Sequence, residues 1–177
     1  MSDIAVALAA IAQAECPVLI IGGNALGAHG YSRMTVDVDC MVAKASLEKL
    51  DAVLRSHGFL RAGGFSSFHE YWFEGKPGGM PIHAMFVDEV TFEKMWAGRV
   101  QMPAENGSLH APRMAHLIAL KLHAVKNSPK RMLKDMADVI ELLERNPDAI
   151  TKDELADVCT KYASQESVSV LKERGYL

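Results

Sequence analysis

Two aspartates separated by one residue, Asp37 and Asp39, are the side chains in this sequence best suited to hold a metal ion. They lie in an apolar segment that predicts a strand, and side chains two residues apart on a strand point to the same face. Adjacent carboxylates repel one another unless a positive charge lies between them. Divalent ions such as Mg²⁺ or Mn²⁺ favour carboxylate oxygens as ligands. The pair therefore predicts a metal site.

A pair of glycines, Gly22 and Gly23, follows the apolar segment 18–21 and precedes the aspartates. A glycine turn that leads into a helix leaves its backbone N–H groups unhindered, and such groups bind phosphate. We expect Gly22, Gly23 and Asn24 to contact the β- and γ-phosphates of an NTP. A phosphate site followed by a metal site indicates phosphoryl or nucleotidyl transfer.

This arrangement resembles the first two motifs of the DNA polymerase beta-like nucleotidyltransferase superfamily, an apolar-Gly-(Gly/Ser) turn and Asp-x-(Asp/Glu). Arg33 and Thr35 strengthen the similarity to small bacterial members, which include the AbiEii-type toxins and other minimal nucleotidyltransferases. The resemblance implies a metal-dependent enzyme that moves a nucleoside monophosphate from an NTP to an acceptor. Asp37 and Asp39 would hold one or two Mg²⁺ or Mn²⁺ ions, and Arg33 would neutralise phosphate charge.

A second pair of segments resembles the third and fourth AbiEii-type motifs, a Lys-Leu-x-Ala helix followed by an Arg/Lys-Asp-x-x-Asp helix. The matching residues are Lys121 on the first helix and Asp135 with Asp138 on the second. The resemblance implies that Lys121 contacts the triphosphate and that Asp135 assists at the active centre. An ordinary salt bridge between two helices is the alternative interpretation, since charged residues at these spacings are frequent on helix faces.

The resemblance departs from the family pattern at the third carboxylate, which many relatives carry on a neighbouring strand. His83 stands where that aspartate is expected, and Asp88 is the nearest acid but has the opposite strand parity. Three interpretations stay open: His83 replaces the base or ligand, Asp88 or Asp135 supplies the third acid, or the site is weakened. A structural histidine hydrogen-bonded to the backbone would also account for an imidazole at this position. An imidazole that accepts a proton near neutral pH would instead preserve activation of the nucleophile.

Composition limits the classes of protein to consider. The 177 residues are 49% hydrophobic and 23% charged, which is enough to bury a core. The net charge of −3 argues against a broad surface for duplex DNA. No apolar segment is long enough to cross a membrane. The three cysteines have no zinc-site spacing, and the N-terminus has no basic signal region, so we expect a cytoplasmic protein.

Periodicity predicts an α/β (α+β) fold: a small mixed sheet flanked by helices, with a C-terminal helical region. We assign residues 1–103 to the nucleotidyltransferase core and 104–177 to helices that pack on it as one compact domain. The predicted helices are 3–15, 46–58, 112–125, 129–145, a segment capped by Thr151 and Glu154, and 167–173. The predicted strands are 18–21, 36–42, 59–61, 67–73 and 80–87, with a turn at 76–79.

The acceptor is left open between RNA, particularly tRNA, and a protein hydroxyl. The resemblance implies a toxin–antitoxin or phage-defence component with a cognate antitoxin as a possible partner. A nucleotide- or partner-binding module that has lost catalysis is the main alternative, supported by His83 in place of an aspartate. A transferase that modifies small cationic molecules is a third class, which the overall acidity permits.

Overall fold

The computed structural model describes residues 3–74, 79–104 and 107–177, so most of the turn predicted at 76–79 lies outside the described residues. The chain divides into two units. One comprises residues 3–28 and Ser32–Pro112, and the other comprises His29–Tyr31 and Arg113–Leu177. The first unit contains the sheet, which extends to Ala111, and the second is helical.

Within the described residues, seven strands form a single mixed sheet. They are β1 (Leu19–Ile20), β2 (Val38–Ala43), β3 (Phe59–Phe65), β4 (Phe68–Phe73), β5 (Ile82–Val87), β6 (Val100–Met102) and β7 (Leu109–Ala111). Their order across the sheet is β3-β4-β5-β2-β1-β7-β6. The neighbours β2 and β5 run parallel, whereas β4 runs antiparallel to β5. The predicted α/β fold with a small mixed sheet is confirmed.

Among the described residues, the sheet unit has three α-helices, which are α1 (Asp3–Ala12), α2 (Leu47–Ser56) and α3 (Glu89–Ala97). The helix α1 packs on α2 and on strands β2 and β7, while α3 packs on β2. Val38, Cys40 and Val42 alternate along β2 and are fully buried. Because side chains alternate along a strand, Asp39 lies on the opposite face from these three. The buried pattern of β2 therefore fixes which way Asp39 points.

The helical unit contains four α-helices among its described residues. They are α4 (Met114–Asn127), α5 (Met132–Arg145), α6 (Lys152–Tyr162) and α7 (Gln165–Glu173). The helix α4 packs on α5 and α6, and α5 buries the apolar residues Met136, Val139 and Leu142. Thr151 caps α6 as expected, since its hydroxyl accepts the backbone N–H of Glu154 at 3.1 Å. None of the described helices is long and apolar enough to cross a membrane.

No helix or strand is predicted between residues 87 and 112, where 104–110 is expected to be a polar loop, yet this segment forms α3, β6 and β7. Asp88 begins α3 by accepting the backbone N–H of Thr91 at 2.9 Å and its hydroxyl at 2.7 Å. The strands β6 and β7 have three residues each, which is too short for alternation to show. They form because β7 pairs in parallel with β1, where His110 lies opposite Leu19, a partner far away in the chain.

Candidate active site

Three polar side chains stand in a row across the sheet. Asp39 on β2 is paired in register with His83 on β5, and His83 is paired in turn with Glu70 on β4. Residues that lie directly opposite one another on neighbouring strands share a face, with Cβ atoms about 5 Å apart. The register alone therefore brings Asp39, His83 and Glu70 together on one face of the sheet.

Both ring nitrogens of His83 face carboxylates. Its Nδ1 lies 3.3 Å from Oδ1 of Asp39 and 3.9 Å from Oδ2 of Asp37. Its Nε2 lies 3.5 Å from Oε2 of Glu70. All four side chains are 27–33% exposed, so the cluster is open to a ligand while its surroundings limit screening by water.

The predicted metal residues fit a divalent ion. One ligand atom from each of Asp37, Asp39 and His83 lies within 4.8 Å of the other two, which is the only such group of three among the described residues. Two carboxylates that face one another need a positive charge between them. Carboxylate oxygens with one imidazole nitrogen form a donor set that divalent first-row metals accept. The chemistry of the donors therefore supports the metal site predicted from the sequence.

The environment of His83 favours its protonated form in the metal-free protein. The hydrogen bond to Asp39 raises the pKa of His83 above its ordinary value of 6.5, and partial burial opposes this effect. The negative charges of Asp39, Asp37 and Glu70 raise it further. A positive charge on the imidazole is stabilised by the carboxylates on either side of it.

We expect this raised pKa to make stability depend on pH. The contribution of protonated His83 to the free energy of unfolding is fully present below the unfolded-state pKa of about 6.5 and is lost as pH rises through the higher folded-state pKa. Chemical denaturation of metal-free wild type and His83→Gln between about pH 5.5 and 8.5 measures this. The advantage of wild type should shrink with rising pH, and an advantage that grows with pH would contradict the assignment.

Gly22 is required where it stands because its backbone is left-handed and closely packed. Its φ is +65°, and a Cβ there would lie 2.1 Å from Oδ2 of Asp39. The next strand holds this contact in place, since the backbone N–H of Ile21 donates to the carbonyl of Asp39 at 2.9 Å. The glycine turn thus lies directly against a predicted metal ligand.

Gly22→Ala should destabilise the protein more than the same change at an open left-handed glycine. Gly175 is the matched control because its φ is +78° and a Cβ would meet nothing within 4 Å. We expect Gly175→Ala to cost about 1–2 kcal/mol for the backbone conformation. Gly22→Ala should cost about 1 kcal/mol more because Asp39 must leave its rotamer. Equal free energies of unfolding in urea would show that the close contact does not constrain Asp39.

The remaining residues of the predicted phosphate site lie around the same turn. A Cβ on Gly23 would lie 2.4 Å from Cγ2 of Thr35 and 3.2 Å from a guanidinium nitrogen of Arg33, so the Arg33 side chain packs on the turn. The amide of Asn24 donates to the carbonyl of Asp37 at 2.9 Å. Asn24 therefore holds the turn against the metal motif, and its contact with phosphate stays a prediction.

Lys121 lies in the helical unit and is ion-paired inside it. Its Nζ is 2.6 Å from Oδ2 of Asp138 and 3.4 Å from Oδ1 of Asp135, and Arg131 contacts the other oxygen of Asp135 at 2.6 Å. The Lys121 side chain is 5% exposed and both carboxylates are 1% exposed. This geometry matches the salt-bridge alternative for Lys121, and the triphosphate and active-centre roles of Lys121 and Asp135 stay predictions.

Glu70 is the member of the cluster that sequence reasoning misses. The segment around it, Phe68-His-Glu-Tyr-Trp-Phe73, has the composition of an ordinary aromatic strand. Glu70 is the one acidic residue of that strand. Its spacing from Phe68 and Trp72 predicts that all three side chains share one face of the sheet, and this is the signal that could have identified it. Asp88 caps α3 after the end of β5 and does not belong to the group formed by Asp37, Asp39 and His83, so its role as the third acid stays a prediction that this geometry does not favour.

Comparisons with known proteins agree with the geometry. A family whose members are described as uncharacterised nucleotidyltransferases has a model that matches residues 3–171. No curated protein sequence matches the chain.

Solved structures of similar fold span nearly the whole chain. The crystal structure of ANT(2'')-Ia in complex with adenylyl-2''-tobramycin is 15% identical, with a TM-score of 0.65, and the match covers 90% of this chain and 97% of that one. The solution structure of the antibiotic-resistance factor ANT(2'')-Ia gives the same TM-score at 12% identity, over 97% and 94%. An antigenic nucleotidyltransferase-like protein from Paracoccidioides brasiliensis is 17% identical over 97% and 93%, with a TM-score of 0.56. At these identities the similarity shows the fold.

Proposed function

The chain belongs to the uncharacterised nucleotidyltransferase family, and on that premise we propose that it transfers a nucleoside monophosphate from an NTP to a hydroxyl acceptor with a divalent metal ion. The observation that carries the proposal is the convergence of Asp37, Asp39 and His83 beside the glycine turn. A metal site next to the backbone N–H groups of a glycine turn can bind the phosphates of an NTP together with their metal ion.

The proposed reaction assigns a task to each side of the site. The acceptor oxygen forms a bond to the α-phosphorus, the bond from that phosphorus to the bridging oxygen of pyrophosphate breaks, and the hydroxyl proton passes to a carboxylate of the cluster. Asp37, Asp39 and His83 would hold the ion, and the ion would neutralise the negative charge that develops on the phosphates. The backbone of Gly22 and Gly23 and the guanidinium of Arg33 would orient the β- and γ-phosphates.

Transfer of label from NTP tests the proposal. The purified protein is incubated with each α-³²P-NTP, with Mg²⁺ or Mn²⁺, and with separate pools of total RNA, cell protein and small cationic metabolites. We expect label on one pool with wild type and none with the Asp37→Asn/Asp39→Asn variant.

The pool that takes the label decides between acceptors. We propose an RNA or protein hydroxyl, following the similarity of the sequence motifs to AbiEii-type toxins, and a cognate antitoxin as partner. Growth arrest on expression of wild type but not of the double variant would support the toxin role. Label on no pool, with NTP still bound, would contradict transfer and favour a nucleotide-binding module.

A small-molecule hydroxyl is the second candidate acceptor. Its support is the shared fold with ANT(2'')-Ia, which has been solved in complex with adenylyl-2''-tobramycin, together with the net charge of −3. Carboxylates attract a cationic acceptor. Label that moves only onto the cationic pool would select this candidate over RNA and protein.

A further inference from the structure

Glu70 occupies a position in the cluster that none of the predicted ligands fills. It faces the ring nitrogen of His83 that points away from the aspartates, with Nε2 and Oε2 3.5 Å apart. The opposite nitrogen, Nδ1, points to Asp39 and Asp37. His83 therefore has a carboxylate of β4 on one side and the predicted metal ligands on the other.

The position of Glu70 is itself fixed by its neighbours. The indole N–H of Trp72 donates to Oε1 of Glu70, which leaves Oε2 for His83. On the other side, the residue paired with Glu70 is Gly63 of β3. Gly63 has no side chain to cover Glu70, and a Cβ there would meet nothing within 4 Å. The carboxylate is thus oriented by a side chain of its own strand and remains accessible.

We propose that Glu70 is a positioning residue that makes His83 a metal ligand through Nδ1. In the neutral ring, an Nε2–H directed at Glu70 leaves the lone pair on Nδ1, the atom that faces Asp37 and Asp39. Binding of an ion would therefore release the proton from Nδ1 and keep the one on Nε2. A ligating histidine that donates its second N–H to a carboxylate is fixed in both tautomer and orientation, and its basicity rises. This inference rests on the metal site of the proposed function. In it, Glu70 contacts His83 and not the ion.

The same arrangement indicates the class of metal. Mg²⁺ is bound almost entirely by oxygen ligands, whereas divalent first-row transition ions also accept imidazole nitrogen. Two carboxylates with one histidine therefore favour a transition ion such as Mn²⁺ over Mg²⁺. An aspartate at position 83 would give an all-carboxylate site, so His83→Asp should shift the preference toward Mg²⁺.

Binding of Mn²⁺ without NTP tests the inference separately from transfer activity. Free Mn²⁺ is titrated by its electron paramagnetic resonance signal in wild type, Glu70→Gln, His83→Asp and the Glu70→Gln/His83→Asp double variant, with Mg²⁺ as competitor. Pulsed measurements on bound Mn²⁺ report whether a ¹⁴N nucleus is a ligand. Glu74→Gln is the matched control, because Glu74 follows β4 and is exposed.

We expect ¹⁴N coupling in wild type and its loss in His83→Asp. Glu70→Gln should weaken Mn²⁺ binding by about tenfold or more, as loss of an outer carboxylate partner does in other histidine sites. The effect should vanish in the His83→Asp background, because there is no imidazole left to orient. Glu74→Gln should bind like wild type.

Several outcomes would overturn the inference. Absence of ¹⁴N coupling in wild type would show that His83 is not a ligand, and an equal effect of Glu70→Gln in both backgrounds would show that Glu70 acts directly on the ion. Unchanged Mn²⁺ affinity in Glu70→Gln, or no Mn²⁺ binding by wild type, would reject it as well. Failure of nucleotidyl transfer in a protein that shows the expected Mn²⁺ binding would reject only the proposed function.

Discussion

Asp37→Asn and Asp39→Asn, made singly, should each lower kcat/KM for nucleotidyl transfer by about a thousandfold. A bound metal supplies several kcal/mol of transition-state stabilisation, and each ~1.4 kcal/mol corresponds to a factor of ten. An amide offers one neutral oxygen in place of a charged carboxylate, so both the charge and the geometry of the site are lost. Initial rates of label transfer at saturating Mn²⁺ measure the effect.

Asp88→Asn is the control for removing an acidic residue near these strands. Asp88 caps α3 through Thr91, and asparagine is as good as aspartate at the start of a helix. We expect this variant to fold and to transfer label at the wild-type rate. If Asp37→Asn or Asp39→Asn retained wild-type kcat/KM, the metal assignment would be wrong.

Lys121→Met should lower the free energy of unfolding by about 3–5 kcal/mol, the usual cost of removing one partner from a buried ion pair. The change leaves Asp135 and Asp138 buried without the ammonium that lies 3.4 Å and 2.6 Å from them. Arg131 still contacts Asp135 after the change. Urea denaturation followed by circular dichroism measures the change.

Lys126→Met separates this effect from loss of a lysine in general. Lys126 lies in the last turn of α4 and is exposed, so its replacement should change stability by less than about 0.5 kcal/mol. If Lys121→Met kept wild-type stability and instead raised KM for the NTP, the triphosphate role predicted from the sequence would be supported over the structural one. The two measurements together decide between the roles.

Local sequence is sufficient wherever a property depends on residues close together in the chain. Alternation along a strand is a local rule, and it predicts Asp37 and Asp39 on one face of a strand over 36–42. The strand in fact begins at Val38, so Asp37 lies just before it, and its carboxylate still comes within 3.9 Å of the same His83 nitrogen. The glycine turn is predictable for the same reason, and Gly22 does have the left-handed backbone that favours glycine. The long helices of the second half follow from periodicity and from the capping residue Thr151.

The register of the sheet decides the rest of the cluster. Glu70 escapes sequence reasoning because its importance comes from lying opposite His83, and no local pattern specifies which residues of β4 and β5 are paired. With Glu70 3.5 Å from its second ring nitrogen, His83 has the carboxylate partner that ligating histidines commonly have. This favours the interpretation in which His83 replaces the expected aspartate as a ligand. Sequence reasoning also misses strands β6 and β7, because β7 is held in the sheet by hydrogen bonds to β1, which is distant in the chain.

The sequence by itself therefore determined the class of fold, the neighbouring aspartates Asp37 and Asp39 and the glycine turn, and the last two have physical causes that act within a few residues. Only the tertiary structure decided that His83 lies between Asp39 and Glu70, and that Lys121 is held by Asp135 and Asp138. These contacts join residues 13 to 44 positions apart. Such contacts depend on how whole strands and helices pack together, and a short stretch of sequence does not specify that packing.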